Sequence, residues 1–306
     1  MRHRIGRDDF AKAAELQRLS GSGTRYWGVC EAYELREPDE AFLQDFLSSQ
    51  VAPKYSLARE DKWRTYYPLK DTPDLFLKFA RLYRGGRGRY VDSIFVKSIL
   101  HWVHQYGLLG YGDVDFFGGP EETLNNYAGS AYWATGILAM YEAALNGDEE
   151  AAKGAVLEEF LSVDIVGSEL ERMGEQRFAA DKANWIEERY NGSYLEYALE
   201  TAMQLVMRTV GKECFPTLLP IGGVSDPSKI SAGWSFKSLY GAMYLQMYWL
   251  MAAGGDVTRC EHCGRIISLA RPHPEGRKRR RDKRFCDDAC RQAHHRSKKR
   301  VQGAPS

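Results

Sequence analysis

Four cysteines near the C-terminus are spaced for metal chemistry. Cys260 and Cys263 form a C-x2-C pair, Cys286 and Cys290 form a C-x3-C pair, and 22 residues separate the two. Two cysteines flanking a tight two-residue turn can aim both thiolates at one Zn2+, about 2.3 Å away. Two cysteines at i and i+4 share one side of a helix, a turn apart. Gly264 gives the permissive backbone that a knuckle needs after its first pair. Four thiolates fill a tetrahedral shell, so the chemistry implied is structural and not catalytic. His294, one turn past Cys290, is an alternative donor for one position, and His262, between the first two cysteines, reads as exposed.

These ligands need elements to hold them. Ile266-Ile267-Ser268-Leu269 and Lys283-Arg284-Phe285 are expected to pair as two short strands, with the loop between them carrying Pro272, Pro274 and Gly276. A helix is expected from Cys286 onward, with Asp287 and Asp288 in its first turn, where the dipole favours carboxylates. Knuckle, hairpin and ligand-bearing helix, in that order, make a treble clef. On the helix, Cys286, Cys290, Ala293 and Ser297 share one face; Arg291, His295, Lys298 and Lys299 gather on the other.

The segment is also strongly basic. Residues 257–306 hold 15 Lys/Arg against 5 Asp/Glu, and residues 1–256 hold 27 against 36, so an acidic body precedes a basic tail. Arg277, Lys278, Arg279, Arg280 and Arg281 form one cluster on the hairpin loop, and the helix face forms another. Two basic surfaces on one small module suit contacts to phosphates. Arg291 and Gln292, near the helix start, are the candidates for reading base edges. No aromatic residue interleaves the basic run, which disfavours single-strand stacking. Four thiolates and one Zn2+ carry a net −2, so Arg259, Arg265 and Arg291 are also candidates for neutralising the cluster. Two further readings of the charge are a tail that folds back on the acidic body and a surface that docks a protein partner.

The pattern CxxCGR…RFCDDACRQAHHR resembles the C-terminal finger of a group of bacterial proteins with an FCS-x-x-CRQ-like ending. It is also similar to the CGNR zinc-finger regulators of bacteria, which place a larger α-helical domain before a C-terminal finger. This chain departs from them by carrying Cys290-Arg291-Gln292-Ala293 in place of the namesake Cys-Gly-Asn-Arg. A more distant likeness is to the small bacterial zinc protein that inhibits gyrase, with its C-x2-C and FC-x3-C pairs. In the body, DLFLKFARL (74–82) and HWVHQYGLLG (101–110) resemble stretches of the first group. The resemblance implies a DNA-binding or regulatory role.

The rest of the chain reads as a mainly α-helical body. With 306 residues, 44% hydrophobic and 12% aromatic, it has ample material for a packed core. Helical patterning is expected at 8–19, 38–49, from Thr72-Pro73-Asp74 to Tyr83, and from about Tyr90 to Tyr106 with a stop at Gly107. It is expected again at 130–146, 149–162, 165–190, 193–210 and from about Trp234 to Ala252. Cys214 to Ile221, with two prolines, reads as strand or loop, and 222–233 as a linker-like loop. The last helix is apolar on nearly every face and is expected to lie buried at the centre of the body. Gln246 and three glycines within Ser238–Gly255 argue against a membrane span there. Cys30 and Cys214 read as buried small hydrophobes, His101 and His104 as core histidines, and RGGRGR (84–89) as a basic turn. No secretory signal opens the chain, and its cysteines suit a reducing compartment, so a cytoplasmic location is expected.

The expectation is thus a mostly α protein: a helical body at 1–255, a four-cysteine treble-clef zinc finger at 256–300 and a disordered tail at 301–306. Zn2+ is the expected cofactor and nucleic acid, as duplex DNA, the expected partner. The body would dimerise, sense a ligand or contact a partner. Rival readings are a protein-interaction module, and an enzyme in the body with an accessory finger. No G-x-S-x-G, P-loop or HExxH motif supports the last.

Overall fold

The computed structural model describes residues 27–36, 50–53, 62–72, 74–83, 93–110, 122–161, 183–220, 230–252, 257–262, 266–268, 283–285 and 288–302. Helices dominate these residues. The body carries β1 (Trp27–Cys30), β2 (Tyr33–Arg36), β3 (Gln50–Pro53), β4 (Trp63–Tyr66), α1 (Pro68–Asp71), α2 (Leu75–Phe79), α3 (Ser93–Tyr106) and β5 (Glu122–Thr123). There follow α4 (Leu124–Asn146), α5 (Glu149–Leu161), a helical stretch at 183–190, α6 (Tyr194–Glu213), β6 (Cys214–Pro220), β7 (Ile230–Phe236) and α7 (Leu239–Ala252). The C-terminal part holds β8 (Val257–Arg259), β9 (Ile266–Ser268) and α8 (Asp288–Gln302).

Local chemistry sets the boundaries. Thr123 caps α4 by accepting from the Asn126 amide, and Gly147, at φ +63°, ends it in the left-handed region. Asp148 at once caps α5 through the Ala151 amide. Ser193 and Glu196 give α6 the S-x-x-E start, with Ser193 accepting from the Glu196 amide. Ser238 caps α7 by accepting from the Gly241 amide at 2.9 Å.

The core gathers around α7, which packs against α1, α2 and α6, while α4 packs on α5 and α6. Nine residues of α7 are buried, among them Tyr244, Leu245 and Met247, as its all-round apolar sequence leads one to expect. Its one buried amide is fully used. Gln246 accepts from the Phe76 amide at 3.2 Å and donates to the carbonyls of Pro68 at 3.1 Å and Thr72 at 2.8 Å. It thereby fastens α1, at its first residue and at the Thr72 that follows it, to the start of α2.

A second junction forms where α3 ends. Gly107, at φ +89°, turns the chain out of the helix. Arg64 of β4 donates to the carbonyls of His104 and Gln105, and the Tyr66 hydroxyl donates to that of Tyr106. Trp27 of β1 donates its indole N–H to the Leu108 carbonyl at 2.8 Å. The buried carboxylate of Glu122 accepts from the amides of Leu109 at 2.7 Å and Gly110 at 2.5 Å. Carbonyls at the end of α3 and amides of the turn after it thus find side-chain partners here.

The body is mostly helical, as expected, and it also holds strands: β1 pairs with β4, and β2–β3–β5 form a three-stranded antiparallel sheet. Other expectations need completing or correcting. Cys214–Pro220 is a strand, paired antiparallel with β7. Trp234 to Phe236 belong to that ladder, so α7 starts later than expected, at Leu239 behind its Ser238 cap. The helix expected at 130–146 starts earlier, at Leu124. His101 and His104 are exposed on α3 and not core residues; the His104 ring stands edge-on to Tyr33 at 5.6 Å. Cys30 and Cys214 are buried as expected. No helix among the described residues is long and apolar enough to cross a membrane. The helices expected at 8–19 and 38–49, the RGGRGR turn and the 165–182 part of the 165–190 helix lie outside the described residues.

Candidate metal centre

The first pair of expected ligands sits at the end of a hairpin. β8 and β9 pair antiparallel, with Val257 opposite Ser268 and Arg259 opposite Ile266. Cys260 follows β8 directly and is 2% exposed, and Glu261 and His262 then turn outward into solvent. The strand pairing expected from the sequence is therefore different: 266–268 pairs with 257–259, and 283–285 is not a strand. β8 and β9 flank the six-residue knuckle, a shorter connection than the 14 residues between β9 and Lys283, and closure entropy favours it slightly.

Lys283-Arg284-Phe285 nevertheless lies against the knuckle. The Glu261 amide donates to the Arg284 carbonyl at 2.9 Å. The two side chains add a bidentate ion pair, with Arg284 Nε and Nη2 donating to the two carboxylate oxygens of Glu261. Those hydrogen bonds and the carboxylate charge raise the Arg284 guanidinium above its ordinary value. The Phe285 ring meets His294 at 5.2 Å between centroids, and so reaches α8.

α8 is amphipathic by position. Cys290, Ala293 and His294 are half-buried, and Asp288, Ala289, Arg291, Gln292, His295 and Arg296 are exposed. This is the 3.6-residue phase expected of a ligand-bearing face with a solvent face behind it. Asp288 lies in the first turn. Arg291 is committed in part, since its guanidinium pairs with Asp288 at 3.1 Å. Both partners are largely exposed, so the pair contributes about 0–1 kcal/mol. Arg296 joins the solvent face between His295 and the positions of Lys298 and Lys299, which also lie on α8. The helix runs to Gln302, two residues into the expected tail.

Half of the expected ligand set lies outside the described residues: Cys263 and Cys286. So do Arg277, Lys278, Arg279, Arg280 and Arg281. Among the described residues no three His, Cys, Asp or Glu side chains converge on one point. The two cysteines that are described fit the donor chemistry of a thiolate site. One is buried at a strand end, and the other faces inward from a helix's first turn. His262 is exposed, as expected. Sequence reasoning missed the Glu261–Arg284 pair and Arg296. The signal for the pair was a carboxylate inside the C-x2-C turn and an arginine two residues before Cys286. A comparison with family models, curated proteins and solved structures found no match to this chain.

Proposed function

We propose that residues 256–300 are a four-cysteine zinc treble clef through which this protein binds duplex DNA, and that the chain is a cytoplasmic transcriptional regulator. Cys260, Cys263, Cys286 and Cys290 would hold the ion, which supplies a tetrahedral crosslink and no catalytic chemistry. The observation that carries the reading is α8: its inward face bears Cys290, and its outward face presents Gln292, His295 and Arg296 to solvent. The surrounding segment holds 15 Lys/Arg against 5 Asp/Glu. Such a helix can lay cations along a phosphate backbone while its amide and guanidinium groups reach base edges. The helical body, with its own core around α7, would dimerise or sense an effector.

Salt dependence tests this. Zinc-loaded protein should bind a random duplex, with log K falling as log salt rises at a slope of about −3 or steeper, as for three or more phosphate contacts. Metal analysis of the same sample should find one zinc per chain. A zinc-loaded protein that ignores duplex even at low salt overturns the DNA reading. A chain that purifies with far less than one zinc overturns the metal reading.

A further inference from the structure

We infer that Glu261 and Arg284 are positioning residues that latch the two halves of the cysteine set together without the metal, a role that rests on the metal reading above. Glu261 immediately follows Cys260, and Arg284 stands two residues before Cys286. A bidentate carboxylate–guanidinium pair and a backbone hydrogen bond of 2.9 Å join them. The pair fixes orientation as well as distance, because the planar fork of Arg284 meets both oxygens of Glu261. The connection continues past Arg284. Phe285 packs on His294, which lies one helical turn beyond Cys290. A chain of contacts therefore runs from the knuckle to the helix through side chains that are not expected ligands.

The effect is on the cost of assembling the site. Between β9 and Lys283 lie 14 residues, 269–282. Bringing together two ends separated by that many residues carries an entropic cost. If the latch holds the loop ends before metal arrives, that cost does not fall on metal binding. The pair is bidentate and charged on both sides, and losing it should weaken zinc affinity about three- to tenfold.

The experiment uses the full chain. Zinc transfer to a fluorescent chelator is measured for wild type, Glu261→Gln, Arg284→Gln and the charge-swapped double variant Glu261→Arg/Arg284→Glu. Each single variant should release zinc about three- to tenfold more readily, and the swap should return to within about twofold of wild type. Hydrogen exchange on the zinc-stripped protein gives a readout free of metal. Peptides covering 257–262 and 283–290 should exchange faster in the single variants than in wild type. Single variants that hold zinc as tightly as wild type, or a swap that recovers nothing, overturn the latch and leave the metal reading standing. A wild-type chain that holds no zinc overturns the metal reading itself.

Discussion

Gln246 shows what one side chain can do for a fold. The sequence marks it as the polar exception in an apolar helix. It does not show that the amide reaches back 170 positions to Phe76 and uses its acceptor and both donors. Gln246→Leu keeps the bulk, strands the buried Phe76 amide, and takes one of two donors from each of the Pro68 and Thr72 carbonyls. The expected loss is about 1–3 kcal/mol, because an unanswered buried polar group costs more than a hydrogen bond is worth net. Chemical denaturation of the two proteins checks it; a loss below about 0.5 kcal/mol would show that water or rearrangement satisfies those groups. Cysteines were the most legible residues, since burial of Cys30 and Cys214 follows from their isolation in the sequence. His101 and His104 were misread because an amphipathic helix admits histidine on either face, and the α3 phase leaves both exposed.

At the scale of elements, long helices were legible and short strands were not. α4, α5 and α6 declare themselves through length and capping residues, and α6 also through its periodic apolar positions. β1 to β4 are four residues each, too short for alternation to stand out. They exist because distant partners complete them, as when Trp27 finds Tyr66. Trp234 and Phe236 read as helix because apolar aromatic residues lie just before α7, and the boundary lies in Lys237 and the Ser238 cap. The turn after α3 is equally specific. Gly110 has φ +84°, and a Cβ there would come within 2.6 Å of the Trp27 ring. Gly110→Ala should therefore destabilise by about 2–4 kcal/mol, from backbone strain and overpacking together. Gly136, inside α4 with open space around it, is the control. Gly136→Ala should stabilise by up to about 1 kcal/mol through helix propensity. Thermal melts of both variants should move in opposite directions, and a shared direction would contradict this account of the α3 turn.

Over the whole molecule, the hydroxyls and thiol held in the core predict an alkaline limit to stability. Burial raises Tyr33, Tyr66 and Tyr127 above the ordinary tyrosine value of 10.0, and the charge of Glu122 adds to the effect at Tyr127. Burial likewise pushes the Cys214 thiol from 9.0 up to about 12. A raised value means the folded protein keeps a proton that the unfolded chain gives up. Stability is thus fully present below about pH 9 and falls as pH rises, first through Cys214 and then, from about pH 10, through the tyrosines. Each such group contributes a slope of about 1.4 kcal/mol per pH unit between its unfolded and folded values. Urea midpoints measured from pH 8 to pH 11 should fall steeply above pH 9, and a flat profile would mean that these groups titrate normally. The division between an acidic body and a basic tail was plain in the sequence, because charge needs only counting. The knuckle geometry was not, because two three-residue strands carry too little pattern to show which partner each takes.

The grip of Glu122 on Leu109 and Gly110 also bears on how such a chain can diversify. Positions 110 and 122 are tied by a hydrogen bond, so the chain leaves and re-enters the body at one place. A change in the length of chain between two tied ends costs little, since closure entropy grows only slowly with length. The demand on sequence therefore falls on the knot itself: Trp27, Glu122 and the two turn glycines.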